Sequence, residues 1–119
     1  MVKTKSVYDE AQESDGERIL VTRYWPRGIS KTWLRHKEWM RDVAPSKELL
    51  EDWKGGRISW DEYTVRYRRE MLAHKTTIVG LAEKSGVSTI TLLCFEREGD
   101  PHCHRHLLKD LIEQEMTAS

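Results

Sequence analysis

A single α/β domain, with a small, mostly parallel sheet flanked by helices, is the fold class this sequence predicts, and three features of the chain point to it. Val87 to Phe95 is a run of strand formers with a nearly continuous apolar end, the pattern of a strand buried on both faces. The stripe Leu107, Leu108, Leu111 and Ile112 follows it after a loop, and Trp60, Tyr63, Tyr67 and Met71 precede it at helical spacing, so a central strand covered by helices is expected. The 119 residues supply material for one core, and residues 1–119 read as one compact domain with no repeat or interdomain linker.

The elements follow in order. Lys3 to Tyr8 alternates weakly and ends in the polar stretch Asp9 to Gly16, after which Arg18 to Arg23 is rich in strand formers; two strands joined by a longish loop are expected. Tyr24-Trp25-Pro26-Arg27-Gly28 then breaks the strand, because proline lacks a ladder donor and glycine permits conformations that other residues avoid. Ser30 caps a short helix through Trp33-Leu34, while His36 to Val43 fits helix or extended structure until Ala44-Pro45 interrupts it. Ser46 caps a helix to about Lys54, which Gly55-Gly56 stops. Ser59-Trp60-Asp61-Glu62 has the spacing of a capping box and opens the amphipathic helix of Trp60 to Met71. A further helix spans roughly residues 77–84 and ends at Ser85-Gly86, ahead of the buried strand. Asp100-Pro101 reads as an N-cap with proline at the first helical position, which places His102-Cys103-His104-Arg105-His106 in the opening turn of the last helix.

Lysine plus arginine balances aspartate plus glutamate at 20 each. No global field then draws the chain onto nucleic acid or anionic lipid, so nonspecific nucleic-acid binding is not expected and anion recognition must be local. No apolar stretch is long enough to span a membrane, and Met1 to Lys5 lacks the apolar core of a secretory signal, so a cytoplasmic location is expected. Two cysteines make no disulfide framework; reduced thiols are expected, although a Cys94 to Cys103 bridge is conceivable if strand end and helix start abut. The absence of a glycine-rich phosphate loop and of a nucleophile elbow disfavours ATP hydrolysis and lipase-like chemistry.

Several segments together, Arg23-Tyr24-Trp25-Pro26-Arg27-Gly28, Asp42-Val43-Ala44-Pro45-Ser46, Trp60 to Tyr67, and Thr91-Leu92-Leu93-Cys94 with Cys103-His104-Arg105, resemble the domain-of-unknown-function 488 family in its YeaO-like branch. The resemblance covers nearly the whole chain. It implies a compact Rossmann-like α/β domain and brings no activity with it.

Ligands of open α/β sheets bind outside the carboxyl ends of the strands. Two such ends are marked here, one by Trp25 to Gly28 and the other by Cys94 to Arg105, and they are expected to frame one cleft. Arg27 and Arg105 offer forked donors for phosphate or carboxylate, with Arg23, Trp25 and Gly28 beside them. Recognition of a small anionic or nucleotide-like ligand is the leading expectation, with Cys103, aided by His104, as the candidate reactive group under the positive end of the last helix. A second reading is a site for a transition metal such as zinc, drawing on Cys94, His102, Cys103, His104 and His106. A third is an interaction protein whose tryptophans make a homodimer surface. Each has a plain competitor: cysteine is often a buried packing residue, and tryptophan more often fills a core than stacks on a base. Arg66, Arg68 and Arg69 share their helix with Asp61, Glu62 and Glu70 and read as a solvated, salt-bridged face. The sequence names no substrate and no reaction.

Overall fold

The apolar run becomes the strand that holds the sheet together. In the computed structural model, which describes residues 1–97 and 99–118, four strands β1 (Val2–Ser6), β2 (Glu17–Leu20), β3 (Glu38–Trp39) and β4 (Ile90–Cys94) pair in the order β1-β4-β2-β3. All neighbours run parallel, Val2 to Ser6 aligning with Ile90 to Cys94 and Glu17 to Leu20 with Ile90 to Leu93. Every residue of β4 is buried, as expected of a central parallel strand covered on both faces. Five helices complete the fold: α1 (Lys31–Leu34), α2 (Lys47–Lys54), α3 (Trp60–Met71), α4 (Lys75–Val87) and α5 (His104–Ala118). None is long and apolar enough to cross a membrane.

The alternation of strand side chains sorts two layers. Ile19, Val21, Ile90 and Leu92 enter the larger core with Tyr67, Leu81, Leu108 and Ile112 from α3, α4 and α5. Leu20 and Leu93 point the other way, onto Val7 and onto Leu34 of α1. Serine caps start three helices as their spacing predicts: Ser30, Ser46 and Ser59 accept N–H bonds from Trp33, Leu49 and Glu62 at 3.0, 3.1 and 3.1 Å.

The two expected strands are there, joined by a long loop, and β4 lies between them, because its apolar residues need a neighbour on each side. The segment 36–43 is neither a helix nor a long strand: two residues pair with β2 and a 3-10 turn, Arg41–Val43, follows. α4 outruns residues 77–84 at both ends, passing through Gly86 to an extended Ser88, because Ile78, Ala82 and Ser85 are all buried on one flank.

This topology makes a crevice. The helix after β2, α1, packs on one face of the sheet, whereas the helix after β4, α5, packs on the other. Since β2 and β4 are adjacent, the chain leaves their carboxyl ends in opposite directions, and the gap between is where open parallel sheets bind ligands. At the opposite end the strands are drawn tight. Gly16 has φ 64°, and a Cβ there would lie 2.2 Å from the Thr89 carbonyl oxygen, so only glycine allows Glu17 N–H to reach that oxygen at 3.0 Å.

Candidate functional site

His104 closes the bottom of the crevice. Its Nε2 lies 2.7 Å from the carbonyl oxygen of Val21, at the end of β2. A carbonyl only accepts, so Nε2 carries a proton, and Nδ1 points to the other side of the ring. There it meets Cys94 Sγ, at the end of β4, at 3.9 Å. Cys103, at the residue before α5, completes the group, and one donor atom from each of Cys94, Cys103 and His104 lies within 4.8 Å of the others. All three side chains are buried.

The two thiols are not equivalent. The Cys103 side chain hydrogen-bonds to Cys94, and this bond, with help from the His104 ring and the Glu96 N–H, holds the Cys94 thiol well below the usual range despite burial. The same contact works in reverse on Cys103, whose donated proton and burial beside Cys94 push its thiol up. Of the two, Cys94 is the thiol that ionises more readily.

A pocket of about 70 Å3 opens over these atoms. Arg23 and Lys54 stand in its lining, and among the described residues neither has a carboxylate at ion-pair distance; Arg23 Nε donates to Pro45 O at 2.6 Å and Lys54 Nζ lies 5.7 Å from the centre of the Phe95 ring. Trp53, also in the lining, begins an aromatic wall in which Trp60 stacks on Tyr63 at 4.7 Å. Phe95 and Glu96 form a partition between this pocket and a wide groove of about 770 Å3 bordered by Ser6, Tyr8, Asp9 and Asp100. Burial, followed by the nearby Cys94 and Asp100, raises the Glu96 carboxyl above the ordinary range.

The structure gathers some of the residues singled out in the sequence and disperses others. Arg23, Cys94, Cys103 and His104 meet at the pocket. Trp25 turns to the other face of the sheet, its ring against Trp39 at 5.5 Å and its Nε1–H donating to Ile29 O at 2.7 Å. Arg27 and Gly28 are exposed and outside the pocket lining, so the Trp25 to Gly28 loop does not frame it. Arg105 is fully buried and donates to the Glu96 and Arg97 carbonyls, each at 2.7 Å; it clamps the loop after β4 rather than facing the pocket. The last helix begins at His104, not at Pro101, because Asp100 Oδ1 accepts the His102 N–H at 2.9 Å in a turn of its own. His102 therefore stacks on Trp60 at 4.8 Å, and His106 Nε2 binds Asp100 O at 3.0 Å; neither belongs to the Cys94, Cys103, His104 group. Lys54 and Trp53 lie outside the segments the sequence marks for the cleft, and Glu96 lies within the Cys94 to Arg105 segment without being singled out as a site residue. Glu96 was findable, being two residues past the end of a central strand, whereas nothing in the sequence sets Trp53 and Lys54 apart from the rest of their helix.

Chemically, the arrangement offers a readily ionised thiol with an imidazole at hand and a second thiol beside it. The same three donor atoms are close enough to share one cation such as zinc.

The family DUF488-N3a, described as the active DUF488-N3 subclade, matches residues 2–116. The chain is 39% identical over 111 residues to the uncharacterized protein YeaO of Escherichia coli K12, covering 93% of this chain and 96% of that protein. It is also 39% identical over 90 residues to uncharacterized proteins of Mycobacterium bovis and Mycobacterium tuberculosis, covering 76% of this chain and 75% of each. No solved structure matches it.

Proposed function

The chain belongs to the DUF488 family, in its DUF488-N3a subclade, and on that premise we propose that the crevice between β2 and β4 binds a small anion, or the anionic end of a larger molecule, against Cys94 as the reactive thiol. The supporting observation is the pairing of Cys94 Sγ with Nδ1 of His104 beneath two cations that, among the described residues, have no carboxylate at ion-pair distance. Size limits the ligand. About 70 Å3 is well short of the roughly 300 Å3 at which pockets begin to enclose a drug-sized molecule. A phosphate or carboxylate group fits; a whole nucleotide does so only with its body lying along the groove past Phe95 and Glu96.

Charge-matched alkylation tests the reading. Anionic iodoacetate and neutral iodoacetamide are given to untagged, metal-free protein, and the modified cysteine is identified by peptide mapping. Cys94 is expected to react before Cys103, and the rate ratio of anionic to neutral reagent is expected to fall about threefold or more in Arg23→Ala or Lys54→Ala. Thiols that react only after unfolding, or a ratio indifferent to both cations, would overturn it. Stoichiometric metal in untagged protein purified without chelator, with both thiols protected, would replace this reading by a metal centre on Cys94, Cys103 and His104.

A further inference from the structure

Resting on Cys94 as the reactive thiol, we propose that Cys94 and Cys103 form a two-electron redox pair that reduces small hydroperoxides, with Cys94 taking the oxygen and Cys103 closing a disulfide onto it. Three observations carry this. First, the two sulfurs belong to different elements, a strand end and a helix start, yet sit in one buried group. A resolving thiol must be that near, because the oxidised sulfur has to be captured before it oxidises further.

Second, the partners of the two thiols divide the roles. His104 Nδ1 faces Cys94 at 3.9 Å, so it can accept the Cys94 proton and return it to a departing oxygen, while Cys103 Sγ lies within 4.8 Å of both. Third, the pocket above them is small, about 70 Å3 against the roughly 300 Å3 at which pockets begin to enclose a drug-sized molecule. A two-oxygen molecule enters; a peptide disulfide such as oxidised glutathione does not.

The steps balance. The Cys94 thiolate attacks one peroxide oxygen, the O–O bond breaks, and the leaving oxygen takes the proton held by His104 and departs as water or an alcohol. Cys94 is then a sulfenic acid. Cys103 gives up its proton and attacks Cys94 Sγ, the S–O bond breaks, and a second water leaves. Two thiols and one hydroperoxide become one disulfide, one water and one alcohol or water, and an external dithiol restores the start.

The test uses reduced, untagged, full-length protein with one equivalent of hydrogen peroxide. Both thiols are expected to disappear together, peptide mapping to link Cys94 to Cys103 within one chain, and dithiothreitol to recover them. Peroxide consumption by the folded protein is expected to exceed that of the urea-unfolded chain at the same pH by about tenfold or more. In Cys103→Ala the reaction is expected to stop at a dimedone-reactive sulfenic acid on Cys94, and the wild-type linkage stands as the readout if that variant does not fold. Consumption no faster than in the unfolded chain, a sulfenic acid on Cys103, or a disulfide only between chains would overturn the pair. A native Cys94 that alkylates readily yet ignores peroxide removes the redox chemistry and leaves the anion site standing; a native Cys94 inert to both reagents removes both.

Discussion

His104 is held by what it does with each nitrogen, and its replacement separates the two jobs. In His104→Phe the Val21 carbonyl is left buried without a donor, at a cost of about 1–3 kcal/mol in urea unfolding, and Cys94 loses the ring that faces it. Alkylation of Cys94 near pH 7 is expected to slow about threefold or more, the Cys103 contact still holding the thiol below the ordinary range. Glu96 gives a second expectation, with a definite sign. Its folded pKa is raised, so the proton it binds favours the folded state below the unfolded value of about 4.3, and that contribution is lost as pH rises through the folded value. Glu96→Gln is therefore expected to raise the urea midpoint near pH 7 and to change it little near pH 4. The sequence displayed the Cys-His cluster but not its pairing. Neighbours in a chain point apart, so Cys103 and His104 side by side said less about contact than the strand that ends in Cys94.

Elements were legible wherever a cap or a helical period marked them. Ser59 shows how far such a mark goes: its hydroxyl accepts the Glu62 N–H, and Ser59→Ala is expected to cost about 1 kcal/mol in urea unfolding. Ser46 goes further than its spacing foretold, because Glu70 of α3 accepts from both its N–H and its hydroxyl and so ties the start of α2 to its neighbour. β3 was unreadable for a physical reason. Two residues on a sheet edge need only their ladder partners in β2 and leave no period behind. The loop after β4 hangs on Arg105, whose fork spans two carbonyls that a lysine ammonium cannot bridge in the same geometry. Arg105→Lys is expected to lose about 2–3 kcal/mol, and hydrogen exchange at residues 95–97 is expected to quicken more than in the core; uniform destabilisation would show that the arginine braces the whole domain rather than this loop.

At the scale of the molecule, layer type followed from one apolar strand and its flanking helices, while strand order did not, since nothing in a sequence says that the last strand inserts between the first two. That order places the crevice, so the Arg27 loop, although it follows β2 as expected, turns away from the thiols. Gly16 checks the topology from the far end. Gly16→Ala meets both the positive φ and the Thr89 carbonyl, and a loss above about 2 kcal/mol in urea unfolding is expected; a small effect would mean that β2 and β4 do not start side by side. The sheet order also sets a timetable for synthesis. β4 is the last of the four strands to leave the ribosome, and until it does β1 and β2 each present an unpaired edge with Ile19 and Leu20 uncovered. The strand that seals those edges also delivers Cys94, so the closed sheet and the thiol of the proposed site arrive in the same stretch of chain.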